Sequence, residues 1–285
     1  MPNLLSSFSW SDATFTAYVD DLDDDQRWST WDSVERLCRG PEPWPDWLVT
    51  AAAAIDTDLG VLKSGKEADV SLLERAVPDD PTRSCVMAAK RYRATERRLF
   101  HRDTTYTEGR RVRNSRDVRA MARRSTHGRA VESGLWARAE WNALKTLYTA
   151  GVPVPYPVQI DGTEILMEFI TDDGEAAAPR LHQTRPSAPQ LAALFAQLLA
   201  AMQTMARLGL VHGDLSPYNT LVAGLQGDEP RLVIIDVPQL MDLASNPNAF
   251  DLLHRDCLNM AAWFSAAGLD VDGDDLLGEV LAHAW

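Results

Sequence analysis

The strongest chemical signal in the chain is the segment HGDLSPYN at residues 212–219. An aspartate followed five residues later by an asparagine is the spacing found in loops that transfer phosphoryl groups. In such a loop the aspartate, here Asp214, accepts or orients the proton of the attacking hydroxyl. The asparagine, here Asn219, holds a magnesium ion that bridges the phosphates of ATP. The segment therefore predicts Asp214 as a catalytic residue and Asn219 as a cofactor and metal ligand.

A second carboxylate, Asp236, comes directly after the apolar run Leu232 to Ile235, which we predict to be a strand. A carboxylate at the end of that strand can reach the metal held by Asn219. Without a cation, two acidic groups beside a triphosphate would repel it, so the pair is best explained as a Mg²⁺ site. We therefore predict Asn219 and Asp236 as metal ligands, with ATP and Mg²⁺ as the cofactors.

Lys90 and Glu140 complete this set of residues. Lys90 ends an apolar predicted strand and is one of few lysines in a chain rich in arginine. Its compact ammonium suits the α- and β-phosphates of a nucleotide. Glu140 lies on one face of the next predicted helix, where it can pair with Lys90 and fix its position. The order lysine, glutamate, Asp-Asn loop and strand-end aspartate favours a nucleotide site over solvated surface residues.

A short turn at Ser64, Gly65 and Lys66 separates two predicted strands within residues 59–77. It precedes Lys90 in the chain, where a loop that covers phosphates would be expected. The turn lacks both the Gly-x-Gly-x-x-Gly pattern and the P-loop signature. These residue types alone therefore predict only a turn.

Around these residues, the hydrophobic pattern predicts strands, one helix, further strands and then a mostly helical half. This order is an α+β arrangement in two lobes, with a hinge near residues 171–174. We predict an N-terminal lobe over residues 51–170 and a mostly helical C-terminal lobe over residues 171–285, which carries the catalytic and metal loops. The predicted strands lie within 59–77, 85–92, 158–160, 164–170, 221–222 and 232–235, and the predicted helices span 132–150, 189–208, 250–266 and 275–284.

Residues 1–50 form an acidic extension that is rich in tryptophan and proline. We expect short helices here, packed on the main domain, with the tryptophans as anchors more than as a binding surface. The five tryptophans are Trp10, Trp28, Trp31, Trp44 and Trp47.

Charge is distributed unevenly along the chain. The formal net charge is −13, which should repel nucleic acid and anionic membranes at long range. Half of the 28 basic residues nevertheless lie between Lys90 and Arg129. Residues 97–129 combine arginines with glycine, serine and threonine, so we predict a flexible loop. Such a loop can bind RNA or an acidic partner, or it can be a solvated segment balanced by the acidic surface.

Two compositional features concern the cellular compartment. No apolar run approaches the roughly 18 residues needed for a membrane span, and the first residues lack the basic start of a secretory signal. The three cysteines, Cys38, Cys85 and Cys257, lie far apart, which fits reduced thiols better than disulfide bonds. We therefore expect a cytoplasmic protein without a membrane partner.

Four motifs, taken in order, resemble the RIO kinases, which are atypical protein kinases, and specifically their RIO1-like branch. They are SGKEADV at 64–70, WARAEWNAL at 136–144, HGDLSPYN at 212–219 and IIDVPQ at 234–239. The resemblance extends from about Leu59 to Phe264. It implies a trimmed two-lobe kinase fold without the activation segment and peptide-binding helices of ordinary kinases. It also implies an ATP-dependent serine/threonine protein kinase that phosphorylates itself and hydrolyses ATP.

The resemblance implies roles for the residues already singled out. Asp214 would be the catalytic aspartate, and Asn219 and Asp236 would hold the metal. Lys90 would bind the phosphates, and Glu140 would fix its position. RIO proteins are also reported to pass phosphate through an aspartyl intermediate at the metal-loop aspartate, which makes Asp236 a second predicted catalytic residue.

The same resemblance implies further contacts with the nucleotide, from the turn over the phosphates and from the hinge beside the adenine. These predicted contact residues are Ser64, Gly65, Lys66, Met167, Glu168 and Ile170. One departure concerns Asp69, because family members commonly have asparagine there and the carboxylate adds negative charge near the triphosphate. Within the arginine-rich loop, Ser115 and Ser125 are candidate sites of autophosphorylation.

Two alternative functions stay open at this point. A small-molecule phosphotransferase of the aminoglycoside or choline kinase type shares the HGDLxxxN loop, although the SGKEA turn, the IDVPQ segment and the short C-terminal half speak against it. A non-catalytic assembly or RNA-binding factor could instead use ATP as a switch, with little kinase turnover. Neither the protein substrate nor the oligomeric state follows from the sequence.

Overall fold

The computed structural model of the chain describes residues 22–93 and 126–284, except positions 173, 175, 228, 238 and 239. These residues form an antiparallel sheet with one long helix, followed by a mostly helical half. No helix in this part of the chain is both long enough and apolar enough to cross a membrane.

A six-stranded antiparallel sheet has the strand order β1-β2-β3-β4-β6-β5. Buried residues recur at every second position in the middle of β3, which is the alternation expected when one face of a sheet is covered. The strands predicted before and after Ser64 are both present, and β4 is longer than its pattern indicated. The strands are β1 (Gln26–Trp28), β2 (Ile55–Ser64), β3 (Ala68–Val77), β4 (Asp80–Tyr92), β5 (Pro157–Asp161) and β6 (Glu164–Glu168).

One long helix, α1 (Thr126–Thr149), packs against β4, β5 and β6. Its buried face includes Trp141, which is fully enclosed. Gly151, with a φ of 80°, follows the helix in the left-handed conformation that commonly ends helices. The helix begins before its predicted start, so residues 126–129 of the predicted flexible loop are helical. The remainder of that predicted loop, 97–125, lies outside the described residues.

In its described residues, the C-terminal half contains three α-helices, one 3₁₀ turn and two small two-stranded sheets. Ser187 and Gln190 form a capping box at the start of the first of these helices, which fixes where it begins. Its apolar face joins a core that continues into α1, so both halves of the fold share one hydrophobic cluster. The helices are α2 (Ala188–Arg207), α3 (Ala249–Ala266) and α4 (Gly273–Leu281). The paired strands are β7 (Leu210–Val211) with β10 (Met241–Asp242), and β8 (Thr220–Ala223) with β9 (Arg231–Ile234).

The N-terminal extension, within its described residues 22–50, covers one face of the sheet. Trp31 is 1% exposed and packs in a second core cluster with side chains of β3, β4 and β5. Trp44 lies edge-on to Trp31 with ring centroids 5.1 Å apart and is itself 38% exposed. The tryptophan anchor that we predicted is therefore present at Trp31, whereas Trp10 lies outside the described residues.

The helices predicted in the extension are absent from its described part. That part contains the strand β1 and a single 3₁₀ turn at Arg36–Cys38. Prolines at 41, 43 and 45 explain the difference, because proline has no N–H to donate and cannot continue a helix. Strand β1 instead pairs with β2, so the extension adds an edge strand to the sheet.

A buried polar network lies beneath the extension. The Arg75 guanidinium donates to Asp56 at 2.6 and 2.9 Å and to Gln159 at 3.1 Å, and all three residues are at most 1% exposed. The Gln159 amide in turn donates to the Thr30 hydroxyl at 2.7 Å. The Nε and Nη2 atoms of Arg75 make these bonds, whereas its Nη1 is buried without a hydrogen-bond partner among the described residues. The network joins the extension to three strands.

Candidate active site

The segment 212–219 forms a loop between β7 and β8, supported from below by helix α3. Asp256 of α3 accepts hydrogen bonds from the backbone N–H groups of Gly213 at 2.7 Å and Leu215 at 2.9 Å. Burial raises the pKa of Asp256 to about 7, against the opposing effect of these two donors. The backbone on both sides of Asp214 is thereby fixed to a helix of the core.

Asp256 is a functional residue that the sequence reasoning missed. Leu253, Cys257 and Met260 are buried on the same face of α3. An acidic residue at the three- and four-residue spacing of an apolar face is the signal that could have found it.

Asp214 and Asn219 face each other across the loop. The Asn219 amide nitrogen donates to the backbone oxygen of Asp214 at 2.9 Å and to its carboxylate at 3.2 Å. This assignment leaves the amide oxygen of Asn219 as the atom that a cation can bind. The Asp214 carboxylate is 52% exposed, so an acceptor from solvent can reach it.

His212 holds the catalytic loop against the segment that carries Asp236. Its Nε2 lies 3.3 Å from the backbone oxygen of Ile235, and its Nδ1 accepts from the Asp214 N–H at 3.3 Å. Burial lowers the pKa of His212, which favours the neutral ring that this pair of contacts requires. The imidazole therefore acts as a structural link between the two loops.

Asp236 follows β9 in an unusual backbone conformation. Its φ is 63°, in the left-handed region, which aspartate tolerates better than most residues with a side chain. The carboxylate accepts from Lys90 at 2.9 Å. Burial opposes ionisation, but Lys90 outweighs it and lowers the pKa of Asp236. The residue is therefore ionised at neutral pH.

Lys90 brings the two halves of the site together. Its Nζ lies 2.6 Å from Glu140 on α1 and 2.9 Å from Asp236. Glu140 is 2% exposed and also accepts from the Tyr92 hydroxyl. Burial disfavours the charged amine, but the two carboxylates outweigh it and raise the pKa of Lys90. The lysine is a permanent cation at this position.

The turn between β2 and β3 is closed by its own residues. The Gly65 N–H donates to the Ala68 carbonyl at 2.9 Å, and a Cβ added at Gly65 would lie 2.9 Å from that same oxygen. The Ser64 hydroxyl donates to Asp69 at 2.6 Å. Lys66 is exposed at the tip. The turn is therefore tight, and glycine is required where the backbone folds back.

Asp69, the residue that departs from the family pattern, is paired. Arg93 donates to both of its carboxylate oxygens and, at 2.7 Å, to the Ser64 hydroxyl. The hydrogen bond from Arg93 lowers the pKa of Asp69. The extra negative charge near the phosphate turn is thus matched by a local cation, which the sequence pattern did not indicate.

The hinge residues lie on β6 and just after it. Met167 is opposite Ala88 of β4, and Ile170 is buried with its carbonyl bound by the Ala178 N–H at 2.9 Å. The Glu168 carboxylate accepts from the Tyr156 N–H and from Arg231, both at 3.0 Å. The Glu168 side chain therefore holds the hinge in place, together with its backbone N–H, which donates to the Tyr156 carbonyl at 2.8 Å.

The donor atoms near Asp236 fit a magnesium ion. An amide oxygen from Asn219 and carboxylate oxygens from Asp236 are hard ligands, which Mg²⁺ prefers. Mg²⁺ commonly takes few protein ligands and completes its shell with phosphates and water. The residues present are thus suited to a cation that arrives with a nucleotide.

The model of the RIO domain matches residues 82–276, which include Lys90, Glu140, the 212–219 loop and Asp236. The chain belongs to the RIO family. It is 35% identical to the RIO-type serine/threonine-protein kinase Rio1 of Haloferax volcanii over 78% of its own length and 68% of that protein. It is 36% identical to the serine/threonine-protein kinase RIO1 of Chaetomium thermophilum over 49% of its own length and 28% of that protein.

Solved RIO structures share the fold. The Rio2 kinase of Chaetomium thermophilum, in a complex with ADP, Mg²⁺ and phosphoaspartate, aligns with a TM-score of 0.54 at 24% identity. The alignment covers 78% of this chain and 61% of that one. A second Rio2 structure from the same organism aligns with a TM-score of 0.52 at 23% identity. The predicted trimmed two-lobe α+β fold is confirmed.

These matches also confirm the predicted RIO kinase class. The named relatives are serine/threonine protein kinases, so the small-molecule phosphotransferase alternative is not favoured. The chain covers less than a third of the RIO1 proteins of C. thermophilum and Saccharomyces cerevisiae. The match therefore concerns the shared domain and does not extend to the rest of those longer proteins.

Proposed function

We propose that this chain is an ATP-dependent serine/threonine protein kinase of the RIO type. It transfers the γ-phosphate of Mg-ATP to protein hydroxyls, including its own, and also hydrolyses ATP. The observation that carries the proposal is the Lys90 ammonium, which lies between Glu140 at 2.6 Å and Asp236 at 2.9 Å. This contact sets a phosphate-binding cation of the sheet beside the carboxylate of the metal loop. The kinase relatives support the same activity.

Three residues bind Mg²⁺ and the phosphates of ATP. The Asn219 amide oxygen and the Asp236 carboxylate hold Mg²⁺, which neutralises charge on the phosphates when it is bound. Lys90 binds the α- and β-phosphates while Glu140 keeps the ammonium in place. The turn of residues 64–66 covers the phosphates from above.

Asp214 serves the acceptor end. It accepts a hydrogen bond from the acceptor hydroxyl and directs the oxygen at the γ-phosphorus. A bond forms between that oxygen and phosphorus, the bond from phosphorus to the β,γ-bridging oxygen breaks, and ADP leaves. The hydroxyl proton passes to Asp214. The loop contacts from Asp256 hold this carboxylate in position through the transfer.

The phosphoaspartate in the Rio2 complex supports a second route through Asp236. A carboxylate oxygen of Asp236 attacks the γ-phosphorus, ADP leaves, and an acyl phosphate remains. Water or a hydroxyl then attacks the phosphorus and releases the carboxylate. The low pKa of Asp236, which Lys90 maintains against burial, keeps the attacking oxygen ionised.

Labelling with γ-labelled ATP and Mg²⁺ tests the proposal. We expect label on the native protein, little label on Asp214→Ala or Asp236→Asn, and native levels on Asp161→Asn, an exposed aspartate at the end of β5. Treatment with hydroxylamine separates the routes, because it cleaves an acyl phosphate and leaves phosphoserine intact. Absence of both label and ADP release above the Asp214→Ala background would refute the kinase proposal.

The partner predictions have less support. Binding of RNA or an acidic partner by residues 97–129 stays a prediction, since most of that segment lies outside the described residues. The alternative of an ATP switch predicts that reversing charge in this segment abolishes partner binding while ATP hydrolysis persists.

A further inference from the structure

Two arginines bind the two ends of the loop that carries Asp214, and their positively charged guanidinium groups lie at the edge of that loop. Arg255 of α3 donates to the Gly213 carbonyl, and its guanidinium is 47% exposed and 3.9 Å from Asp214. Arg180, which precedes the 3₁₀ turn at Leu181–Gln183, donates to the Tyr218 carbonyl. Both ends of the loop that presents Asp214 are therefore bordered by guanidinium groups.

Lys63 adds a cation from the opposite side of the cleft. The register pairs Lys63 with Val70 and Val70 with Lys90, and residues directly opposite each other point to the same face of a sheet. A bulge between Val61 and Lys63 brings Lys63 into this row. Because Lys90 points at Asp236, Lys63 also points into the cleft.

Lys63 and Arg180 differ from the other cations of the site. Within residues 22–93 and 126–284, neither forms an ion pair with a described carboxylate, whereas Lys90 and Arg93 do. Burial and the nearby Arg180 lower the pKa of Lys63, whereas Asp236 raises it, so Lys63 lies near both Arg180 and the carboxylate of the predicted metal site. Two cations held close together favour an anion between them.

The acceptor is the group that must pass this position. In an in-line transfer the attacking oxygen approaches from the side opposite ADP. Tyr218 lies on the same loop as Asp214, four residues further on, so a peptide whose hydroxyl reaches Asp214 can extend over Tyr218. The Tyr218 ring is 59% exposed and rests on His182 with centroids 4.1 Å apart, which forms a surface beside Arg180.

We propose that Lys63 and Arg180 form an acceptor subsite that selects protein segments with acidic residues beside the phosphorylated hydroxyl. The proposal rests on the kinase function proposed above and adds its substrate class. The protein as a whole carries a net charge of −13. The proposed subsite is therefore a positively charged patch on a negatively charged protein.

Peptide kinetics test the subsite. Two peptides of equal length, each with one serine flanked by aspartates or by glutamines, serve as acceptors for the full chain. We expect the aspartate peptide to have the higher kcat/KM, and Lys63→Met or Arg180→Met to raise its KM by about two- to fivefold, as for exposed ion pairs. The KM for ATP should stay within about twofold. Lys145→Met and Arg207→Met are the matched controls, because each removes one positive charge outside the proposed subsite. They should leave the preference for the aspartate peptide unchanged.

A binding measurement separates this subsite from catalysis. Fluorescence anisotropy of labelled peptides with alanine in place of serine should show tighter binding of the aspartate peptide, weakened by both variants and by added salt. Equal binding of the two peptides would refute the subsite even if the chain labels itself. A rise in the KM for ATP in place of the peptide KM would assign Lys63 and Arg180 to the nucleotide instead. If the native chain transferred no phosphate but still bound the aspartate peptide more tightly than the glutamine peptide, the kinase proposal would be refuted. The acidic-peptide subsite would then still be supported.

Discussion

At the scale of single residues, Lys90 decides how the site is assembled. Its ammonium contacts one buried carboxylate, Glu140, and one half-exposed carboxylate, Asp236. Glu140 keeps a further partner in the Tyr92 hydroxyl. Removing the lysine should therefore have two separable effects. The proposed phosphate-binding cation is lost, and Glu140 is left as a buried carboxylate without an ion-pair partner.

We expect Lys90→Met to lower the free energy of unfolding by about 3 kcal/mol, because Glu140 loses its cation in a buried position. ATP turnover should fall by at least about 100-fold, as is typical when a charge-stabilising group is removed. The double variant Lys90→Met/Glu140→Gln should regain most of the stability without regaining turnover. Urea denaturation and ADP release measure the two effects, with Lys145→Met as the control. Equal destabilisation of the single and double variants would contradict this account.

Asp256 gives a prediction for pH. Its folded-state pKa of about 7 lies above the usual value of an aspartate, so folding favours the protonated form. The stability that this shift contributes is present at low pH and is lost as the pH rises from about 4 to about 7. Above that range the carboxylate is ionised, and its two N–H donors hold the catalytic loop.

Comparison with Asp256→Asn isolates that titration from those of other carboxylates. We expect the unfolding free energy of the native chain, relative to the variant, to fall by about 2 kcal/mol between pH 5 and pH 7. Urea denaturation at each pH measures the difference. Parallel profiles for the two proteins would mean that Asp256 is ionised throughout this range.

At the scale of elements, the β2–β3 turn depends on the strand that follows it. Arg93, directly after β4, holds both Ser64 and Asp69. The pair therefore sets the shape of the turn and also cancels the carboxylate that distinguishes this chain from the family pattern. ATP affinity should depend on both members together more than on either one.

We expect Arg93→Met to weaken ATP binding about two- to fivefold, because Asp69 is then an unpaired negative charge near the phosphates. Adding Asp69→Asn to that variant should restore affinity, since neither charge remains. Isothermal titration with ATP at low and high salt measures the effect, which should shrink as salt rises. Additive losses in the double variant would show that the pair acts by holding the turn instead of by balancing charge.

Elements with local signals were predictable, and so was the Lys90–Glu140 pair, whereas other contacts across the fold were not. Asp214, Asn219 and Asp236 sit in short motifs whose spacing is set by chemistry, so the sequence placed them in one site. Arg93 and Asp256 act through partners that are 24 or more residues away. No periodic pattern reports such contacts, because they depend on how strands and helices pack.

The start of α1 and the structure of the extension were also beyond the sequence pattern. Residues 126–129 contain glycine and histidine and little apolar content, yet they continue a helix whose later turns are buried against the sheet. In the extension we predicted short helices, while the prolines at 41, 43 and 45 disfavour a helix in that stretch. The start of α1 is thus set by packing against the sheet, and the structure of the extension is set by backbone geometry.

At the scale of the whole molecule, the extension is part of the fold. Trp31 packs in a cluster with Leu48 and Val49 of the extension and with side chains of the sheet. Thr30 accepts a hydrogen bond from Gln159 of the buried Arg75 network. Removing the extension would therefore expose both an apolar surface and a charged group that is now enclosed.

We expect Trp31→Ala to lower the free energy of unfolding by about 3 to 5 kcal/mol, the range for a fully buried aromatic side chain. Trp44 is 38% exposed, so Trp44→Ala should lower the free energy of unfolding by clearly less. Urea denaturation followed by far-UV circular dichroism measures both. Similar small losses for the two variants would indicate that the extension is only loosely attached.

The strand β4 begins at Asp80, and the stretch recognisable as a RIO domain begins two residues later. The β2–β3 turn, the strands β1 to β3 and the residues around Trp31 all precede that point. They nevertheless fold with the matched stretch, because β3 pairs with β4 along its length and Trp31 packs against side chains of both strands. A protein cut back to residues 82–276 would therefore lose the neighbour of β4 and expose part of its core.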